Sequence, residues 1–304
     1  MKISILEYNH VPIEQAQVEL IERKGIGHPD TLADIIAETF SNNYSKYTLG
    51  NFGIIANHYV DKVTIIGAKA NVDFGKGKIV KKIKIYLFGK VTSKIGNNRI
   101  NIRKLFQDTV EHIFKNIFKN SDVTKYLSYE INVHDGKGRD HPVSFYTPKS
   151  VSDLKRANLV LRSNDSVLCS GYAPYSESEK LVIEMENYLC SGKFKEKFPE
   201  TGYDVKVMLA RDKSGLDITI CIPFIAKLTP SREYYSQELA KIKLDLMDKI
   251  HQLTRRELTL NINTKDEGGK YAYLTVFGSA IDKGDQGVVG RGNRYNGLIT
   301  INRE

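Results

Sequence analysis

The sequence predicts an α/β fold: three similar two-layer modules, each a mixed sheet with helices on one face. Three observations lead there. Apolar residues recur at helical spacing in some stretches and alternate in others. A helix followed by two strands recurs after Tyr47, after Leu189 and after Arg255. No Pro/Gly/Ser-rich linker or low-complexity tract separates these units, so they are expected to pack closely. The expected modules are 1–125, 126–230 and 231–304, the last incomplete at its C-terminal end.

The elements follow in order. The opening segment and Val18–Glu22 read as strands. A helix over Thr31–Tyr47 places Leu32, Ile35, Ile36 and Phe40 on one face. Strands are expected at Ile54–Ile66 and Ile79–Val91. In the second, Lys82 and Lys84 alternate with Ile83, Ile85 and Leu87, giving one wet and one apolar face. The stripe Leu105, Phe106, Val110, Ile113, Phe114 and Ile117 predicts a helix over Ile102–Phe118. A strand near Tyr129–Val133 precedes an irregular stretch to Tyr175. The run SESE then opens a helix reaching Leu189, with Ser176 and Glu179 in the capping-box relation. Strands Asp204–Leu209 and Leu216–Pro223 flank the turn RDKSG. A helix over Glu233–Arg255 and a strand pair, Leu258–Asn263 with Tyr271–Phe277, complete the reading.

Composition narrows the classes. The chain has 304 residues, 41% of them hydrophobic and 10% aromatic, which suits a buried core and not a disordered chain. No apolar run reaches the roughly 18–20 residues of a membrane span. The N-terminus is too short and polar for a signal peptide. The cysteines, 3 in number, lack metal-type spacing and read as reduced thiols of a cytoplasmic protein. The net charge of +9 favours anionic partners. Much of it lies on an alternating strand rather than in a nucleic-acid module, so neither nucleic acid nor membrane is expected as a partner.

Two segments invite chemistry. In Gly27-His28-Pro29-Asp30, Gly27 admits close backbone approach, Pro29 suits a first helical turn and Asp30 can cap it. The same residues can aim a helix N-terminus at an anion, with His28 donating to a phosphate oxygen and Asp30 holding a divalent cation. In GDQGVVGRGNRYNG, Gly284 to Gly297, five glycines alternate with Asp285, Arg291 and Arg294. Glycines allow anion-binding nests, and arginines give bidentate phosphate contacts. Three further segments carry blander readings: an Asx turn at Asn164-Asp165, a hairpin tip at Lys213 and a polar loop over His134–Pro142.

VELIERKGIGHPDTLADIIAE, SGYAPYSESEKLVIEME, VKVM and YLTVFGSAIDKGDQGVVGRGNRYNGLIT stand in the order and spacing of one family. From about Val18 to Thr300 the chain resembles the S-adenosylmethionine synthetases (methionine adenosyltransferases) of archaeal type. The resemblance implies three α/β modules about a pseudo-threefold axis and a homodimer with active sites between subunits. It implies transfer of the adenosyl group of ATP to the sulfur of methionine, with Mg2+ and K+ as cofactors. By matched position it makes His28, Lys213 and Arg291 catalytic. Gly27, Asp285, Gly287, Gly290 and Arg294 would bind ATP, Glu22 and Asp165 methionine or the nucleoside, and Asp30 the metal.

The chain departs from the family at GKGRDHP, at Gly67-Ala68-Lys69, at His58-Tyr59-Val60-Asp61 and in ending at GLITINRE, where family members continue. The resemblance therefore also admits a nucleotide-binding paralogue that is inactive alone or uses another acceptor. A second polypeptide supplying the C-terminal part is then an expected partner.

Overall fold

The computed structural model describes residues 5, 11–119, 121–134, 146–159, 173–266, 271–284 and 286–289. In chain order the elements are β1 (Glu19–Lys24), α1 (Pro29–Phe52), β2 (His58–Ile66), β3 (Lys69–Asp73), β4 (Lys76–Lys81), β5 (Ile83–Val91), β6 (Lys94–Ile95), β7 (Asn98–Arg99), α2 (Ile102–Ile117) and β8 (Leu127–His134). There follow α3 (Val151–Leu159), α4 (Glu177–Cys190), α5 (Gly192–Lys197), β9 (Lys206–Asp212), β10 (Gly215–Cys221), β11 (Phe224–Ile225), α6 (Arg232–Leu253), β12 (Leu258–Ile262), β13 (Leu274–Thr275) and β14 (Gln286–Val289).

Two mixed sheets carry the two cores. One has the order β14-β2-β5-β8, antiparallel except for the parallel β5–β8 pair. Ile83, Ile85 and Leu87 turn their buried face to α1 and α2, where Leu32, Ile36, Phe40, Phe106, Val110 and Phe114 complete the core. The alternating lysine Lys84 stays exposed, as the pattern requires. The other sheet has the order β1-β9-β10-β12, with β10–β12 parallel. Val207, Leu209, Ile218 and Ile220 pack there on Leu181, Met185, Ile242 and Leu246 of α4 and α6. The capping box forms at α4: Ser176 Oγ accepts from Glu179 N at 3.0 Å, and Glu179 Oε2 accepts from Ser176 N at 2.7 Å.

Long-range pairing runs across the segments expected from sequence. β1 pairs with β9, and β14 pairs with β2. The hairpin β3–β4, lysine- and glycine-rich, also reaches across, and the single strand expected over Ile79–Val91 is broken at Lys82 into the end of β4 and the whole of β5. Val72 and Phe74 of the hairpin pack on the second core, and the Phe74 and Tyr271 rings meet at 4.8 Å. Among the described residues the expected strand pair after α6 does not form: β12 pairs with β10 and β13 with β11, both parallel.

Candidate active site

Helix α1 begins against the end of β1 that pairs with the start of β9. His28, not Asp30, is the N-cap residue, with extended backbone and its Nδ1 accepting from Asp30 N at 3.2 Å. Pro29 holds the first helical position, where its missing N–H costs nothing. Asp30 instead faces outward, and its Oδ2 takes a 2.8 Å ion pair from Lys24. Gly27 packs closely on Tyr203 and Asp204. Its N–H bonds to Tyr203 O at 3.0 Å, and a Cβ there would stand 2.8 Å from Asp204 N.

The charged groups gather where the sheet meets this helix start. Lys24 and Lys206 are cross-strand partners on one face of β1–β9. Glu22 Oε1 lies 3.6 Å from Lys24 Nζ and 3.5 Å from Lys206 Nζ. The Asp30 hydrogen bond is the main cause holding the Lys24 ammonium above its ordinary pKa. His28 is pushed the other way, down to about 4, first by burial and then by the neighbouring cations Lys24 and Lys206, against the opposing carboxylates. Its imidazole is therefore neutral at pH 7. Because Nδ1 accepts the Asp30 N–H, the ring proton resides on Nε2, which is a donor.

The glycine-rich segment reaches the same place. Gly287 of β14 lies directly on the helix start, and a Cβ on it would stand 2.1 Å from Pro29 O. The preceding loop is tied down as well. Buried Ser279 donates to Gly27 O at 2.9 Å, and Asp204 Oδ2 accepts from Ala280 N at 2.7 Å. Asp282, fully buried, accepts from Val276 N and Phe277 N, while its Oδ1 has no partner among the described residues. Burial drives its carboxyl up to about 8, so it is largely neutral at pH 7. Along the same loop, Lys283 and Gly284 line a cavity of about 770 Å³ with Gly67, Lys69, Lys84 and Tyr271.

Of the residues expected from sequence, the structure brings together Glu22, Gly27, His28, Asp30 and Gly287. It does not bring Lys213 to them. Lys213 sits in the exposed Asp212–Gly215 turn, seven residues along from Lys206, or roughly 24 Å at about 3.4 Å per residue. Asp165, Asp285, Gly290, Arg291 and Arg294 lie outside the described residues, as does most of His134–Pro142. Lys24, Lys206 and Ser279 were not singled out in the sequence. The one available signal was the motif VKVM, whose alternation puts Lys206 on the wet face of β9. Among the described residues no group of three or more His, Cys, Asp or Glu could hold a metal, and no helix is long and apolar enough to cross a membrane.

A helix N-terminus, a neutral imidazole donor, two lysines and a glycine-rich strand together have the chemistry suited to a polyanion, as in phosphate-binding enzymes. The comparisons sharpen that class. The sequence profile of the family described as S-adenosylmethionine synthetase (AdoMet synthetase) matches residues 1–304. The chain is 36% identical over 301 residues to the S-adenosylmethionine synthase of Thermoplasma volcanium, covering 98% of this chain and 72% of that one. It is 36% identical over 303 residues to the S-adenosylmethionine synthase of Pyrococcus furiosus, covering 99% and 73%. The fold is similar to that of a solved S-adenosylmethionine synthetase from Campylobacter jejuni, with TM-score 0.50 and 16% identity, over 91% of this chain and 63% of that one. The chain belongs to the S-adenosylmethionine synthetase family.

Proposed function

We propose that the chain transfers the adenosyl group of ATP to the sulfur of methionine, releasing S-adenosylmethionine, phosphate and pyrophosphate. The observation that carries this reading is the seating of β14 on the start of α1 at Gly287, which unites the family's two most specific motifs. The thioether is already nucleophilic. As its sulfur bonds to C5′ of ATP, the C5′–O bond breaks and the electron pair leaves with the triphosphate, which one water then hydrolyses to phosphate and pyrophosphate. The barrier lies in orientation and in the charge that builds on the leaving group. His28 Nε2–H, the N-terminus of α1, Lys24 and Lys206 are the groups suited to hold that charge.

The donor set suits magnesium bound together with phosphate, since Mg2+ commonly takes one or two protein carboxylates and fills its shell from substrate and water. Asp30 would hold the ion, which neutralises triphosphate charge when bound. Lys24, 2.8 Å from Asp30, stands where its ammonium would face the same phosphates. Arg291, Arg294 and Asp285 extend the nucleotide contacts in this reading, and Glu22 and Asp165 the nucleoside or methionine contacts. The cavity beside Lys283 and Gly284 is assigned to the nucleoside or acceptor end. K+ as a second ion, the pseudo-threefold arrangement and a cytoplasmic setting belong to the same proposal. So does a homodimer packed through the sheet face on which Tyr86 and Phe88 stack at 5.9 Å.

The test is an assay of the purified chain with ATP, methionine, Mg2+ and K+, following S-adenosylmethionine and phosphate together. Formation of both is expected. ATP hydrolysis without the product would overturn the acceptor, and no turnover would overturn the reading for this chain alone. Lys206→Met should then cost about 1.5–3 kcal/mol in kcat/KM for ATP, the scale of a lost charged hydrogen bond. Lys213→Met should stay within about 0.5 kcal/mol of wild type, as an exposed turn residue does. Steady-state kinetics of both variants decides between the two lysines. Gly287→Ala must push β14 off Pro29, because the clashing atoms are backbone. A shift of about 1 Å there should lower kcat on the order of 100-fold, with about 1–3 kcal/mol lost in urea unfolding; wild-type kcat would break the link between strand and site.

A further inference from the structure

We infer that Ser279 is a positioning residue of this reaction: its buried hydroxyl clamps the carbonyl of Gly27, and so fixes the turn that presents His28. The inference rests on the function proposed above. Ser279 is wholly inaccessible and lies 252 residues along the chain from Gly27. Its Oγ is 2.9 Å from Gly27 O and 3.1 Å from Asp204 Oδ2, so one hydroxyl proton is shared between a backbone carbonyl of the turn and a carboxylate two residues before Lys206. Asp204 holds the clamp in place by also accepting from Ala280 N.

The surroundings leave the clamp little freedom. Gly202 and Gly278 touch backbone to backbone, and a Cβ on Gly202 would stand 2.2 Å from Gly278 O. Asp282 fixes the strand side of the loop through Val276 N and Phe277 N at 2.6 and 2.9 Å. The loop then runs on to Gly287, which meets the same turn at Pro29. The loop therefore grips the helix start at two points, and Ser279 is the point immediately before His28. Gly27 is buried, so without the hydroxyl its carbonyl loses its side-chain partner, and the peptide preceding His28 is held only through His28 N–H on Gly25 O at 3.1 Å.

Ser279→Ala, Ser279→Thr and Ser279→Cys in the full chain test this, by amide exchange over residues 22–34, melting temperature and steady-state kinetics. For Ser279→Ala, exchange of the amides of residues 27–32 should rise about tenfold, the size of one lost hydrogen bond. The turnover number should fall on the order of 100-fold while KM for methionine stays within about threefold, because placement and not affinity is lost. Ser279→Thr, which keeps the hydroxyl, should restore slow exchange and most of kcat. If Ser279→Ala does not fold, Ser279→Cys, a weak donor of similar shape, must show the same two changes. Unchanged exchange overturns the clamp, and so does a kcat loss with unchanged exchange. If the wild-type chain makes no S-adenosylmethionine, the proposed function fails, while the exchange data still decide the clamp.

Discussion

Replacing His28 by Asn should leave the protein folded and lower the rate of S-adenosylmethionine formation by about two to three orders of magnitude, the cost of removing one preorganised donor from developing negative charge. Asparagine is chosen because His28 has two tasks. Its Nδ1 caps α1 by accepting from Asp30 N. Its Nε2–H is the donor available to a ligand. Asparagine is among the best N-cap residues and can keep the first bond while deleting the second group. His28→Ala removes both and should lose a further ~1 kcal/mol of stability. Equal melting temperatures for wild type and His28→Asn, with the rate lost only in the variant, would separate the tasks. Wild-type turnover in His28→Asn would remove His28 from the chemistry.

The depressed basicity of His28 adds a pH signature. Burial holds the folded-state pKa at about 4, below the ordinary 6.5. The folded protein thus favours the neutral ring. That contribution is fully present above pH 6.5 and is lost as pH falls through the folded value near 4. The kcat/KM for ATP, which reports the free enzyme, should accordingly show no limb from His28 between pH 6 and 8. An acid limb near 6.5 that vanishes in His28→Asn would contradict a neutral donor.

What the sequence disclosed and what it concealed divide by the range of the interactions. Helices α2, α4 and α6 were legible because their stripes and the Ser176–Glu179 box are local signals. So was the GHPD segment as a helix start, although the capping role passed to His28 because its ring, and not the Asp30 carboxylate, reaches the first free N–H. The partners of β1 and β14 were not legible. Nothing in ELIERK names Lys206–Asp212 as its neighbour, and QGVV reads as part of a loop until β2 offers it an edge. The hairpin β3–β4 was only partly legible: lysine and glycine mask the alternation of β3 and of the start of β4, and Ile79–Val91 reads as one strand because no local signal marks the break at Lys82. The place of Lys206 was hidden for a related reason. Alternation along VKVMLARD tells which face a lysine takes, but only the β1–β9 register tells which end of the strand lies beside His28. Ser279 was invisible in the same way, since its partner is 252 residues away.

The largest stability effect is expected from Arg211→Met, far from the site. Glu19 and Arg211 face each other on the core side of β1–β9, with relative exposures of 5% and 7%, which makes their pairing obligatory. Arg211 Nε donates to Glu19 Oε2 at 2.9 Å, and its Nη2 donates to Ile13 O at 2.7 Å, holding the chain ahead of β1. Ser176 Oγ donates to Glu19 Oε1 at 2.6 Å. Truncating the arginine leaves a buried carboxylate without its counter-ion, a change that costs about 3–5 kcal/mol. Burial alone would raise the Glu19 carboxyl, but the hydrogen bonds from Ser176, Arg211 and Ser178 and the arginine charge outweigh it and hold the group low. In the wild type this contribution is present above the ordinary carboxylate pKa of 4.5 and is lost as pH falls through the lower folded value. In the variant burial is opposed only by the Ser176 and Ser178 hydrogen bonds, so the carboxyl lies above its wild-type value and its ionisation costs the fold more than in the wild type. The gap between the two proteins should therefore widen as pH rises from 4 to 7, and Glu19→Gln added to Arg211→Met should close most of it at pH 7. Because Glu19–Arg211 stands five residue steps, or about 17 Å, from Lys24–Lys206 along the sheet, kcat at temperatures where the variant is folded should match wild type. Urea unfolding at three pH values measures the gap; one that is constant with pH would falsify the unpaired carboxylate as its cause.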